Sequence, residues 1–196
     1  MTVFAADEGT KFGTWGDPTS QLLYRDVMPV FLSGVDTSYR VFDLGGANGL
    51  LRHFIPHALT VDIDPTKAPD VVADCLKWKP KWFPRPSLAV LRYVLHYLTD
   101  TQATKLFNHL ATWADRVLVI QFVTDPEHLA AKTHNSVNEV KWFRSEPELL
   151  ALLGEWKVLD RKRLDFTVDA EFYRRRLLHP NPISHPEGVV ALYLTR

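Results

Sequence analysis

The chain has 196 residues, of which 46% are apolar and 23% are charged, an ordinary composition for a globular protein. Lys plus Arg and Asp plus Glu each number 23, so the net charge demands neither a nucleic acid nor an anionic membrane as a partner. The single cysteine, Cys75, excludes an internal disulfide and a cysteine-based zinc cluster, and we expect no metal.

The N-terminal stretch MTVFAADEGT lacks the basic start and the apolar core of a secretory signal peptide. No apolar run approaches the roughly 20 residues that a helix needs to cross a bilayer. We therefore expect a cytoplasmic protein that has no membrane partner and folds as one domain over residues 1–196.

Strand and helix patterns alternate along the first part of the chain. The stretch that leads to Phe31 reads as a loop followed by a helix, with an apolar stripe on one face. After it, short runs rich in β-branched and aromatic residues predict strands. We place these strands at Tyr39–Leu44, Leu59–Ile63, Asp70–Ala73, Ser87–Arg92 and Arg116–Val123.

Helical spacing lies between several of these strands and again after the last of them. The final predicted helix opens on a capping box, in which Ser145 and Glu148 satisfy each other's backbone amides. The predicted helices cover Leu50–Ile55, Val94–Ala114 and the stretch SEPELLALLGEW, and two further strands cover Lys157–Val168 and Gly188–Leu194.

This alternation predicts an α/β fold with a doubly wound, mostly parallel sheet, because βαβ units with right-handed crossovers build such a sheet. The strands are apolar along nearly their whole length, as expected when helices cover both faces. The last two strands follow one another without an obvious helix, which predicts an antiparallel finish at one edge. Ligands of such sheets bind at the carboxyl ends of the strands.

A cluster of glycines lies at one such end, in VFDLGGANGLLRHF, where the first strand passes into a helix. A dinucleotide fold has G-x-G-x-x-G here, which DLGGANG does not match. The carboxylate of Asp43 would repel a pyrophosphate and favours a ligand that carries positive charge. No G-x-x-x-x-G-K-[ST] motif occurs, which excludes a P-loop.

With this loop the chain resembles the class I methyltransferases that use S-adenosylmethionine, a ligand with an ammonium and a sulfonium group. Their first motif is roughly D/E-x-G-x-G-x-G, and DLGGANG matches it with Ala47 in place of the middle glycine. We expect Ala47 to strain the loop only modestly if its φ stays negative. The resemblance implies a Rossmann-like sheet of seven strands with an antiparallel last strand, and S-adenosyl-L-methionine as the cofactor.

Further motifs follow in the family's order. In the family an acid ends the second strand and binds the ribose hydroxyls, and Asp62, 17 residues after Gly45, matches it. Asp64, just behind it, reads as a turn former ahead of a proline. An acid after the third strand accepts from the adenine amino group, and Asp74 matches it, although its type also suits a helix cap.

The fourth feature is LAVLRYVLHYL, which is similar to a strand and helix of many small-molecule methyltransferases, except that no acid precedes it here. Within it, Arg92 has the charge and position to face the donor's carboxylate. The resemblance thus implies cofactor contacts from Asp43, Gly45, Gly46, Ala47, Gly49, Asp62, Ile63, Asp74, Cys75 and Arg92.

Methyl transfer from a sulfonium is an in-line displacement, so positioning supplies much of the rate, and a base is needed only if the acceptor keeps its proton until late. Our candidate for the catalytic residue is His96, which shares a helix face with Tyr93; the alternative for His96 is a packing role in that helix. His134, in the segment Asp125–Arg144 where such families often build their acceptor pocket, is the rival, and His128 is a further candidate after the same strand.

The acceptor is a small molecule on this interpretation, and an oxygen or carbon nucleophile is favoured because LRYVLHYL lacks the N/D-P-P-Y motif typical of amide and base methylation. An RNA substrate stays open, since basic clusters occur at Lys77–Arg85, Arg161–Arg163 and Arg174–Arg176. A protein that binds the cofactor or a partner without turnover stays open as well.

The resemblance divides the single domain into three parts. Residues 1–37 would form an N-terminal helix or lid, residues 38–123 the cofactor-binding half, and residues 124–196 the substrate-side segment and terminal strands. Trp15, Trp142 and Phe143 would flank the ligand end and could roof an apolar acceptor pocket.

Overall fold

The structure is a computed structural model, and it describes residues 28–81, 86–123, 142, 144–165 and 188–196. Within these residues the chain forms one sheet of seven strands. The strands are β1 (Arg40–Leu44), β2 (Leu59–Asp62), β3 (Val71–Val72), β4 (Ser87–Arg92), β5 (Arg116–Val123), β6 (Lys157–Asp165) and β7 (Gly188–Thr195).

The strand order is β3-β2-β1-β4-β5-β7-β6. The first five strands pair in parallel, and β7 lies antiparallel between β5 and β6. Strands β2 and β3 are added on one side of β1, and β4 and β5 are added on the other side. The carboxyl ends of β1 and β4 therefore lie side by side at the switch point of the sheet. The predicted mostly parallel seven-stranded sheet with its antiparallel finish is confirmed.

The sheet is covered on both faces by apolar side chains, as its apolar strands predict. One face packs on helix α1 (Asp100–Leu110), whose Ala103, Leu106, Phe107 and Leu110 point into the core. Helix α2 (Glu146–Ala151) adds Leu149 to the same cluster. The other face is covered by residues 28–32 and by the chain that follows β1.

Capping boxes begin α1 and α2. The hydroxyl of Ser145 accepts from the backbone amide of Glu148, and the carboxylate of Glu148 accepts from the backbone amide of Ser145. The predicted capping box is therefore confirmed. Thr99 and Gln102 form a second box that begins α1. The sequence-based expectation of helix from Val94 onwards is wrong at this point, because Thr99 has the extended backbone of an N-cap and separates α1 from a single 3-10 turn over Leu95–Tyr97.

Two other elements are shorter than expected. The helix predicted over Leu50–Ile55 is a single turn of 3-10 helix, Leu50–His53, which follows Gly49 and ends ahead of Pro56. The third strand has the two residues Val71–Val72. The 3-10 turn lies in the short crossover from β1 to β2, where the chain returns to the sheet too soon for a full helix to form.

Most of the predicted N-terminal helix precedes residue 28 and lies outside the described residues, as does the acceptor segment up to residue 141. Across the ranges that the structure describes, no helix is both long and apolar enough to cross a bilayer.

Candidate functional site

The carboxyl ends of β1, β2 and β4 bring the predicted cofactor residues to one edge of the sheet. The loop after β1 is tied to β2, because the amides of Gly45 and Gly46 both donate to the carbonyl of Val61, at 2.7 and 3.3 Å. Gly49 closes the loop by donating to the carbonyl of Gly46 at 2.9 Å. The glycine loop is therefore a turn of defined conformation, held by backbone hydrogen bonds.

The glycines of this loop are required by the protein's own packing. A Cβ on Gly46 would lie 2.5 Å from Oδ2 of Asp43, and a Cβ on Gly45, whose φ is +68°, would lie 2.6 Å from Cγ2 of Val94. Distances under 3 Å are not tolerated between such atoms, so larger residues would push the loop off the strand ends. The fold itself therefore needs these glycines, whether or not a ligand approaches the loop.

Ala47 adopts the left-handed conformation, with φ +47°. We expected little strain only if φ were negative, and this condition is not met. The loop requires a left-handed residue at this position, which the family pattern fills with glycine. The amide of Ala47 donates to Oδ2 of Asp62 at 2.8 Å, which helps to hold this conformation. The strain is the cost of alanine at a position that glycine adopts freely.

Asp62 links the glycine loop to the end of β2. Its Oδ2 accepts from Ala47, and its Oδ1 accepts from the amide of Asp64 at 2.9 Å. An ionised carboxylate has about four acceptor positions, so two backbone bonds orient this group and leave capacity for further donors. The next side chain, Ile63, is 46% exposed and offers an apolar surface beside the carboxylate.

Asp64 forms a turn, as we predicted. Its Oδ1 accepts from the amide of Thr66 at 2.8 Å and caps the 3-10 turn Pro65–Lys67. The hydrogen bond from the Thr66 side chain lowers the pKa of Asp64, and burial opposes this shift.

Asp74 and Cys75 follow β3 on the far side of Asp62. Oδ1 of Asp74 accepts from the amide of Leu76 at 2.9 Å, so this carboxylate caps the turn that follows it, the alternative that its residue type left open. Burial raises the pKa of the Cys75 thiol to about 12, and the charges of Asp74 and Asp62 add to the shift. Cys75 is therefore a neutral, apolar group next to two carboxylates.

Asp43 is buried beneath the loop and is paired with Arg92. The side chains are 1% and 7% exposed, and the guanidinium donates through Nε at 3.1 Å and through Nη2 at 2.8 Å. Nη2 also lies 3.4 Å from the carbonyl of Gly46. This bidentate pair joins the ends of β1 and β4, so the charge of Asp43 is compensated within the protein.

His96 lies in the turn after β4 and is 5% exposed. Its Nδ1 is 3.1 Å from the amide nitrogen of Gln121 on β5, and its ring lies against Tyr97, with centroids 4.1 Å apart. The backbone amide of Trp142 donates to the carbonyl of His96 at 2.7 Å. These contacts fix the ring at the edge of the sheet, one turn beyond Arg92.

Tyr93 and Phe122 add aromatic surface at the same edge. Their rings stack with centroids 4.5 Å apart, and the backbone of Tyr93 is left-handed, with φ +54°. Burial raises the pKa of Tyr93 far above its ordinary value, so its hydroxyl stays protonated.

The comparisons with known proteins rest on structure alone, because no family model and no curated protein matches the sequence. The magnesium protoporphyrin IX methyltransferase ChlM from Synechocystis PCC 6803, solved with bound S-adenosylhomocysteine, superposes with a TM-score of 0.61 at 16% identity, over 98% of this chain and 96% of that one. The N-methyltransferase NodS from Bradyrhizobium japonicum WM9 has a TM-score of 0.58 at 13% identity, over 92% of this chain and 88% of that one.

The mitomycin 7-O-methyltransferase MmcR is similar as well, with a TM-score of 0.55 at 18% identity over 93% of this chain. This chain spans 59% of the length of MmcR. Identities this low carry no information on reaction or substrate, but agreement over nearly the whole chain defines the architecture.

The chain has the class I methyltransferase fold. The resemblance that the motifs indicated is thus confirmed at the level of the fold. In this methyltransferase fold the switch point between β1 and β4 lies at the glycine loop, and the structure brings the ten predicted cofactor residues to that edge. Their contacts with a cofactor stay predictions.

Gln121 and Arg144 belong to this edge and were not predicted. Arg144 is 4% exposed and donates to the carbonyls of Leu95 and Leu98 at 2.7 and 2.6 Å, which anchors Arg144 onto the turn of His96. Gln121 had a detectable signal, since it is the one amide side chain within the apolar strand RVLVIQFV. Arg144 had none, because its partners lie 46 and 49 residues away in the sequence.

Several predicted residues lie outside the described part of the chain. They are Trp15, His128, His134, Phe143 and Arg174–Arg176.

Proposed function

We propose that the protein is an S-adenosylmethionine-dependent methyltransferase that acts on a small-molecule acceptor, with an oxygen or carbon nucleophile favoured. One observation carries the proposal. The carboxylate of Asp62 is oriented by the amides of Ala47 and Asp64 at 2.8 and 2.9 Å, so the glycine loop and the acid that would bind a ribose diol form a single unit.

The residues at this edge fit the parts of an adenosyl ligand. Asp62 has acceptor capacity for two vicinal hydroxyls, the exposed Ile63 offers an apolar surface for a ring, and the neutral thiol of Cys75 would tolerate contact with that ring. At the other end, Arg92 is held next to the loop by Asp43 and would interact with a carboxylate rather than an ammonium.

When bound, the cofactor supplies a methyl group activated by a positive sulfur. The protein's own contribution is then to hold the acceptor in line and to exclude water, and well-oriented reactants gain much of their rate from this alone. The ring of His96 lies beside those of Tyr97 and Phe122, and Tyr93 stacks on Phe122, so this group of rings would offer aromatic surface to a small, planar acceptor.

Calorimetry with S-adenosylmethionine and S-adenosylhomocysteine tests the cofactor assignment. We expect both to bind with micromolar affinity and Asp62→Ala to weaken binding by about tenfold to a hundredfold, because hydrogen bonds to a charged group contribute about 1.5–3 kcal/mol. The matched control is Asp64→Ala, which removes the neighbouring carboxylate from a turn and should leave the affinity unchanged. Absence of binding to either compound would contradict the proposal.

The RNA alternative loses support at the basic cluster Arg161–Arg163. Arg161 and Arg163 donate to the buried carboxylate of Glu146 at 2.7 and 3.0 Å, and Lys162 lies 3.2 Å from the carboxylate of Asp160. Two carboxylates thus compensate two of these three positive charges within the protein, which weakens the case for this cluster as a phosphate-binding surface.

Methyl transfer to fractions of a cell extract separates the candidate functions. With isotope-labelled S-adenosylmethionine, we expect label in the small-molecule filtrate and none in purified RNA. Label in RNA, with binding that weakens steeply as salt rises, would favour the RNA alternative. Cofactor binding without label in any fraction would favour a protein that binds without turnover.

A further inference from the structure

Asp43 and Arg92 form a neutral pair beneath the glycine loop. The guanidinium donates to both carboxylate oxygens, at 3.1 and 2.8 Å, and the two side chains are 1% and 7% exposed. A guanidinium stays charged in proteins, and its planar fork matches a carboxylate in this bidentate geometry. The pair therefore brings no net charge to the loop end of the site.

The loop also covers this carboxylate. A Cβ on Gly46 would lie 2.5 Å from Oδ2 of Asp43 and 2.6 Å from its Cγ, so the backbone of Gly46 packs directly against the carboxyl group. Asp43 as a whole residue is completely buried. A ligand on the solvent side of the loop would thus meet the backbone of Gly46 before it could reach the carboxylate oxygens.

The carbonyl of Gly46 is already occupied by donors of the protein. It accepts from the amide of Gly49 at 2.9 Å, and Nη2 of Arg92 lies 3.4 Å from it. A carbonyl oxygen has two lone pairs, and here each of them has a donor. One of the two donors is a cation, which would repel an ammonium group brought to this oxygen.

Asp62, at the end of β2, differs from Asp43 in both respects. Its two oxygens accept from the amides of Ala47 and Asp64, at 2.8 and 2.9 Å, which leaves capacity for donors of a ligand. Both of these partners are neutral amides, so they do not compensate its charge. The acceptor capacity that this edge offers a ligand therefore lies at Asp62 rather than at Asp43.

We propose that the cofactor site does not recognise the α-amino group of its ligand, because the Asp43–Arg92 pair withdraws the loop carboxylate from binding. The site then accepts adenosyl thioethers and sulfoniums with or without that group. This inference rests on the proposed function, since it describes how the same site selects its ligand. It reverses the role that the sequence suggested for Asp43, which was to attract a positively charged ligand.

Calorimetry with two matched ligands at neutral pH tests this selectivity in the unaltered protein. One ligand is S-adenosylhomocysteine, and the other is its deaminated analogue, in which a hydrogen atom replaces the α-amino group. We expect the two dissociation constants to agree within about threefold, which is a small difference in binding free energy. A larger loss of affinity for the deaminated analogue would overturn the proposal.

Arg92→Gln tests the part played by the pair. Glutamine can still donate to Asp43 through its amide, but the positive charge is lost and the loop end gains a net negative charge. We expect S-adenosylhomocysteine to bind this variant at least about fivefold more tightly than the deaminated analogue, because an uncompensated carboxylate attracts the ammonium across the loop. Equal affinities for the two ligands would overturn the assignment to this pair. If the variant does not fold, the comparison in the unaltered protein still decides the proposal.

Arg116→Gln is the matched control. Arg116 lies at the start of β5, at the opposite edge of the sheet, where it donates to the hydroxyl of Thr195 at 2.7 Å. Its loss removes the same charge and should leave the two affinities equal within about threefold. The same change of ratio in both variants would overturn a specific role for Arg92.

The two ligands also separate the possible failures. Absence of S-adenosylhomocysteine binding would overturn the proposed function and this inference together. Binding of S-adenosylhomocysteine with a much weaker deaminated analogue would overturn this inference alone.

Discussion

Ala47 has a φ of +47°, a backbone conformation that alanine rarely adopts. The strain of this conformation lowers the free energy of unfolding, and a glycine variant measures by how much. We expect Ala47→Gly to raise the free energy of unfolding by about 1 kcal/mol, because glycine reaches this region without a clash between Cβ and the backbone. Equilibrium denaturation in urea measures the change.

The control for this prediction is Ala111→Gly. Ala111 follows α1 with a φ of −60°, where the methyl group causes no strain. There the change should lower the free energy of unfolding by about 0.5–1 kcal/mol. Two changes of the same sign would contradict the strain that we assign to Ala47.

The thiol of Cys75 provides a second prediction at the scale of one residue. With its pKa raised to about 12, the native thiol should react with iodoacetamide at a rate that grows about tenfold per pH unit from pH 7 to 10, with no plateau. In guanidinium the thiol has an ordinary pKa of about 8.5, so its rate should level off near pH 9. A plateau near pH 9 in the native protein would refute the shift.

Several residues of the candidate site could be predicted from local sequence motifs. Others depend on contacts between distant parts of the chain, and only the structure identifies them. The acids that end strands could be read from the sequence because a strand end has a local signature. The Asp43–Arg92 pair could not be, since 49 residues separate its members and nothing in either neighbourhood encodes the other. The left-handed φ of Ala47 was missed because the residue type argues against it.

At the scale of elements, the Asp43–Arg92 pair joins β1 to β4 where they leave the sheet. Arg92→Met should lower the free energy of unfolding by about 3–5 kcal/mol, because it leaves a buried carboxylate without its partner. The double variant Asp43→Leu/Arg92→Met should lose less than the sum of the single changes. Urea denaturation of the four proteins gives the coupling energy.

An exposed pair in the same fold provides the comparison. Arg52 and Asp70 are 40% and 38% exposed, so Arg52→Met should cost about 1 kcal/mol or less. Equal losses for Arg52→Met and Arg92→Met would show that burial does not govern these pairs.

Strands were easier to predict than the elements that connect them. β4 and β5 have the predicted bounds, because long apolar runs leave little choice of register or length. The crossover after β1 was predicted as a helix and is a 3-10 turn. Its helical apolar spacing covers only a few residues, and the pairing of β1 and β2 at either end fixes the chain before a longer helix can form. Periodicity alone does not measure that competition.

At the scale of the whole molecule, the last strand of the sequence lies inside the sheet. β7 pairs along its length with β5 on one side and β6 on the other. Leu192 on this strand is completely buried, and Leu192→Ala should lower the free energy of unfolding by about 2–5 kcal/mol.

Val72→Ala is the control, since Val72 is 57% exposed on the two-residue edge strand β3. Its cost should stay within about 0.5 kcal/mol, as for most surface positions. Thermal unfolding followed by circular dichroism compares the two, and a smaller loss for Leu192→Ala would contradict the central place of β7.

The interior position of β7 has a consequence for synthesis. A nascent chain reaches the ribosome's exit with β5 and β6 already made, and each exposes a row of unpaired backbone groups until residues 188–195 arrive between them. A translation product that lacks residues 188–195 cannot join β5 to β6 in this sheet. A chain that ends before residue 188 therefore leaves β5 with one unpaired edge and β6 without the strand it pairs with, and such a product is a target for chaperones and proteases rather than a smaller version of the protein.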